Sequence, residues 1–208
     1  MCLPSAGYTT GASQKGSRGP HAGRGIQRSC GRWPPWCPSS AGWRWPLAEL
    51  GHRRIGVISG PPQLTTTFDR LAGFRRGLEE AGVELPPDAI VAGDFSRESG
   101  ERATYALFKV LPGMTAIFAF NDVMALGVLR ALRDRRLRIP RDISIAGFDD
   151  IPIACDISPP LTSVRVPMAQ MGEMALRMVV EPPRGNALRV EHLPTNLVPR
   201  ASTGRARR

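Results

Sequence analysis

From residue 53 onward, short unbroken apolar runs alternate with stretches in which apolar residues recur every three or four positions. RRIGVISG (53–60) is a β-branched run halted by Gly-Pro-Pro, which predicts a strand with a stop. Phe68, Leu71, Phe74, Leu78 and Ala81 then share one helical face, while Arg75, Arg76, Glu79 and Glu80 lie off it. Gly82 stands where a left-handed helix cap belongs. AIVAGDF (89–95), TAIFAF (115–120) and DISIAGF (142–148) predict three more strands, with helices over 98–111 and 122–135 between them. A last helix, 168–180, carries Met168, Met171, Ala175, Met178 and Val179 on one side. This alternation predicts an α/β fold, a parallel sheet joined by right-handed crossovers with helices on both faces.

In open parallel sheets, ligands bind beyond the carboxyl ends of the strands, where loops and helix N-termini converge. Strand one is followed by a loop leading to Arg70, strand two by Asp94-Phe95-Ser96, strand three by Asn121-Asp122 and strand four by Asp149-Asp150. A guanidinium and a carboxylate grip hydroxyls or ring nitrogens, an aromatic face suits a sugar or base, and an amide both donates and accepts. Each residue also has a local reading: Asn121 or Asp122 as a helix cap, Asp149-Asp150 as a turn, Arg70 paired with Asp69 or a nearby acid on the surface, and Phe95 in the core. Their joint placement on one rim is what points to a small polar ligand.

Charge changes the picture little. The net charge of +10 arises at the two ends: six basic and no acidic residues lie in 1–46, and four arginines in 200–208. The body between them holds eighteen basic against eighteen acidic residues, so no basic DNA-binding face is expected there. Residues 1–46 contain all four tryptophans and three of the four cysteines, with neither helical nor strand periodicity. That segment reads as a chain that does not fold, as a misassigned start or reading frame, or as a basic aromatic arm for nucleic acid. Cys30 and Cys37 lack zinc-finger spacing, so neither metal nor cofactor is expected. No run of eighteen apolar residues predicts a membrane span, and no secretory signal pattern opens the chain, which makes the cytoplasm the expected compartment. Ser59 does not sit in a G-x-S-x-G elbow, and neither a P-loop nor G-x-G-x-x-G occurs, so catalysis is not expected.

ELGHRRIGVISG, RLAGFRRGLEEAG, GDFSRESG, TAIFAFNDVMALGVLRAL, RIPRDISIAGFDD, PPLTSVRVP and LVPRAST follow one another in the order of LacI/GalR (lactose-repressor-type) transcription regulators. The resemblance spans about residues 47–203. It implies a periplasmic-binding-protein-like effector core (type I), with one subdomain largely complete and the other partial. Carried over motif by motif, Arg70, Phe95, Asn121 and Asp149 look like effector contacts, and Thr66 like a weaker one. The implied partners are a sugar or purine effector and a second copy in a homodimer, using helix 122–135 and the loop near Cys155–Pro159. Operator DNA is implied only for a form carrying the helix-turn-helix, which family members place ahead of the GHRRI motif. Val166 stands where the family often has Gln, which removes one polar contact. The expected division is 1–46 outside the fold, 47–165 as the effector-binding subdomain, and 166–208 as a remnant of the second subdomain plus a basic tail. In the family, helix 168–180 packs on the other subdomain, so its apolar side is expected to lack a partner here. The alternative reading is a solute-binding component of a sugar transporter, which shares the fold.

Overall fold

The computed structural model describes residues 46–181 and 190–207. The expected segment 1–46 therefore lies outside the described residues, except for Pro46. After a short helix α1 (Pro46–Glu49), the elements run β1 (Ile55–Ser59), α2 (Thr65–Glu80), a 3-10 turn, β2 (Ile90–Ala92), α3 (Arg97–Val110), β3 (Ala116–Ala119) and α4 (Asp122–Asp134). β4 (Ser144–Asp149), α5 (Ile153–Asp156), β5 (Thr162–Arg165), α6 (Met168–Val180) and β6 (Asn196–Val198) complete the order. One six-stranded sheet results, in the spatial order β2-β1-β3-β4-β5-β6, with the first five strands parallel and β6 antiparallel to β5.

β1 and β3 are buried at every position, as strands covered on both sides must be. Val57 pairs with Phe118, whose ring stacks on Phe74 of α2 with centroids 4.7 Å apart. The alternate positions Gly56 and Ile117 face the other way, where Leu107 of α3 closes over Gly56. Thus α2 covers one face, and α3 and α4 cover the other. The last two approach so closely that a Cβ on Gly127 of α4 would overlap the Arg97 carbonyl and lie 2.6 Å from the Glu101 nitrogen of α3. Gly82 takes φ +65°, and the Val83 N–H donates back to Leu78, closing α2 as its sequence predicts.

The structure departs from expectation in three places. β2 ends at Ala92 rather than Phe95, because Phe95 adopts φ +69° and cannot continue a strand. Phe68, expected on the buried face of α2, is 69% exposed, while its neighbour Thr67 is the residue of that turn that is buried. The strands β5 and β6 were not foreseen. They place part of the region beyond residue 165 inside the sheet, and residues 200–206 cross the amino ends of its strands: Ile145 N–H donates to Ser202 O at 2.9 Å and Ala206 N–H to Leu50 O at 2.8 Å. Helix α4 buries eight of its thirteen residues and exposes Arg130, Arg133 and Asp134. By contrast α6 buries none, and Met168, Leu176, Val179 and Val180 all stand exposed.

Candidate functional site

Arg70 lies one and a half turns into α2, and its side chain is 8% exposed. One arm of the guanidinium donates to the backbone carbonyl of Phe120 at the end of β3. The other donates to Asp149 Oδ1 at the end of β4, at 3.0 Å. Its plane rests 3.9 Å over the Phe148 ring. A single side chain thus clamps two adjacent strand ends, a task for which Arg's planar fork is suited and Lys is not. Burial lowers the Arg70 pKa and raises that of Asp149, and each is pulled partway back by the other's charge. Two of five guanidinium N–H groups are used by these bonds, and Asp149 keeps an oxygen for a ligand hydroxyl or ring N–H.

Asn121 both starts a helix and ties the rim together. Its Oδ1 accepts from the Met124 N–H at 2.8 Å, capping α4, while its Nδ2 donates to the Phe95 carbonyl at 3.2 Å. The second amide hydrogen is left for another acceptor. Phe95 packs against the core, and a Cβ on Gly60 would overlap its ring. Beside Gly60 the hydroxyl of Thr67 is buried with no hydrogen-bond partner among the described residues. The structure therefore brings Arg70, Phe95, Asn121 and Asp149 into one connected cluster, drawn from four β-α junctions. Thr66, half-buried in the first turn of α2, makes none of these bonds.

The backbone at this rim is strained. Phe95, Asp149 and Asp150 take φ of +69°, +104° and +55°, and they are three of four non-glycine residues in the left-handed region among those described. Each such conformation costs about 1–3 kcal/mol and persists where its surroundings over-determine it. Asp150 shows how: its carboxylate meets Arg165 at 2.6 Å and Arg200 at 2.6 Å, and its N–H donates to Ser163 Oγ at 3.1 Å.

Sequence reasoning weighed Asp122 only as a helix cap, and its role proves larger. It is 1% exposed and accepts from Ser163 Oγ at 2.6 Å and from the Ile151 N–H at 2.9 Å, which fastens the Asp149-Asp150 turn to α4. Burial pushes its carboxyl up to about 6, against the bonds from Ser163 and Ile151. The signal was faint, because both partners lie 29 and 41 residues away in sequence. Asp94, in the loop after β2, stays exposed and is held at about 2 by its bonds with Ser96, whose hydroxyl caps α3. Val166 is 4% exposed and packs in the core. Among the described residues no group of His, Cys, Asp or Glu side chains could hold a metal, and no helix is long and apolar enough to cross a membrane. What the cluster offers is recognition: a cation, a carboxylate, an amide and an aromatic ring on one edge.

Comparison with known proteins gives this geometry a lineage. The family of periplasmic binding protein-like domains matches residues 46–203. The HTH-type transcriptional repressor PurR of Escherichia coli O1:K1 is 42% identical over 135 residues, which are 65% of this chain and 40% of that protein. The chain thus spans less than half the length of the curated relatives it matches. Among solved structures, a sugar-binding LacI-family regulator from Escherichia coli, complexed with phosphate, aligns with a TM-score of 0.71 at 27% identity, covering 83% of this chain and 63% of that one. The regulator CelR in complex with cellobiose gives 0.68 at 38% identity, covering 76% and 49%. The Lac repressor bound to ONPG gives 0.69 at 32% identity, covering 76% and 48%. With the match running over most of its length, the chain belongs to the periplasmic binding protein-like domain family, in the form of a LacI/GalR effector-binding core.

Proposed function

We propose that this chain senses a small polar effector of the sugar or purine class for a DNA-binding transcription regulator. The observation that carries the reading is the convergence of Arg70, Phe95, Asn121 and Asp149 into one bonded rim held in strained backbone. Asp149 and the unused guanidinium hydrogens of Arg70 take the ligand's hydroxyls or ring nitrogens, Asn121 offers its second N–H, and Phe95 presents an aromatic surface. Thr66 contributes at the margin. Two of the similar structures support this reading, one in complex with cellobiose and one bound to ONPG. A homodimer acting in the cytoplasm fits this role, with operator DNA read by a form that carries a helix-turn-helix. The transporter reading rests on shared fold alone, whereas the relatives reported above are regulators.

Calorimetric titration with cellobiose, monosaccharides and free purine bases tests the site. Saturable binding by the native chain, lost in Arg70→Lys while the circular dichroism spectrum is kept, is the expected result. Binding that survives both Arg70→Lys and Asp149→Asn unchanged would remove the rim from the account.

A further inference from the structure

The amino ends of the strands, opposite the rim, gather a second set of charged groups. The 200–206 segment is pinned there, with His52 Nε2 2.9 Å from the Gly204 carbonyl and Ala206 N–H bonded to the Leu50 carbonyl at 2.8 Å. This crossing brings Arg205 and Arg207 beside Arg53 and Arg54, about 150 residues away in sequence. Two depressions of about 450 and 410 Å³ adjoin here, sharing Gly51, Ala206 and Arg207 in their walls. The first is lined by Arg53, Arg54 and Arg207 with no carboxylate, and the second adds Arg205 against a single acid, Glu49.

The charges here are poorly compensated. Arg207 reaches Asp142 at 3.2 Å, but that carboxylate also serves Arg138 at 3.0 Å. Arg53 spends its Nη1 on the backbone carbonyls of Ala48 and His52, which fixes its position and leaves its charge unpaired. Arg54 and Arg205 form no ion pair among the described residues. Four guanidinium groups spread over two adjoining hollows form a local field that favours a multivalent anion. Guanidinium matches phosphate oxygens two at a time. A hollow of this size suits a compact ligand, whereas a nucleic-acid backbone needs an extended track of cations.

We propose that these adjoining arginine-lined hollows bind a small phosphate or polyphosphate anion, at a site separate from the rim. The probe is pyrophosphate, titrated into the 208-residue chain at ionic strength held constant with sodium chloride, with heat and melting temperature as readouts. Saturable binding is expected, weakened about tenfold or more in Arg54→Glu/Arg205→Glu, two exposed side chains without structural bonds. Reversal of two remote exposed arginines, Arg75→Glu/Arg177→Glu, should leave the affinity within about twofold. Should the charge-reversed pair lower the melting temperature by itself, Arg54→Gln/Arg205→Gln carries the same expectation. Equal weakening in the near and remote variants would overturn the proposal, as would heats no larger than those of the chloride control. Binding to duplex DNA that pyrophosphate does not displace would overturn it too.

Discussion

Helices α4 and α6 are each thirteen residues long and comparably rich in apolar side chains, yet their fates are opposite. α4 enters through a capping amide, buries eight residues and meets α3 backbone to backbone at Gly127. α6 follows Pro167 with no side-chain cap and has no fully buried residue, with Met171 alone packing against the core cluster. An amphipathic pattern specifies a helix in both, but helical stability in proteins comes mainly from the surface the helix packs against. The rim residue Asn121 sits on the well-supported helix, so the candidate site is built on the rigid member of the pair.

The same substitution should act with opposite sign on the two helices. Gly127→Ala forces α3 and α4 apart and is expected to cost about 3 kcal/mol or more, whereas Gly172→Ala, which meets nothing within 4 Å, should stabilise by about 0.5–1 kcal/mol. Urea midpoints decide this, and a like sign in both would dissolve the contrast. Asp149→Asn strands the nearly buried Arg70 charge, although Asp149 itself is partly exposed, and is expected to cost about 2–3 kcal/mol.

Asp122 sharpens the contrast through pH. Its carboxyl titrates near 4 in an unfolded chain and at about 6 in the folded one, so the native state holds the proton more tightly. Its contribution to stability is therefore complete below about pH 4 and is lost as pH rises through about 6, an effect on the order of 2 kcal/mol. Burial lowers the His52 pKa, which makes stability fall as pH drops below about 6.5 and opposes Asp122 in the same window. Asp122→Asn should leave the His52 trend uncovered. Stability curves of native and variant protein that stay parallel from about pH 4 to 7 would contradict the assignment.

Asn121→Ala removes the α4 cap and is expected to cost about 1 kcal/mol. The smallest effect belongs to α6, where Leu176→Ser should change stability by less than about 0.5 kcal/mol, because Leu176 is 65% exposed. Hydrogen exchange over 168–180 should be fast in the monomer, and full protection there would show that α6 is covered after all.

Much of this was legible in the sequence. Unbroken apolar runs gave β1 through β4 to within a few residues, except that β2 stops earlier, and the ordering of strand and helix identified which loops share an edge. What stayed hidden depends on distant partners. Thr162-Ser163-Val164-Arg165 looks too polar for an inner strand, yet its hydroxyls are answered by Arg200, Thr203 and Asp122. Local sequence offers Arg70 its neighbour Asp69 or a nearby surface acid, while its partner is Asp149, 79 positions on. Phe68 fits the helical period, yet in that turn of α2 it is the polar Thr67 that is buried.

The crossing at the amino ends also sets a schedule for folding. His52 and Leu50 wait for Gly204 and Ala206, and Ile145 waits for Ser202. During synthesis the residues that complete these bonds emerge long after β1, β3 and β4, so the ribosome-bound chain holds a sheet whose lower margin is unsealed. Proteolysis and chaperone capture should therefore find this protein most vulnerable in the interval just before residues 200–206 leave the exit tunnel.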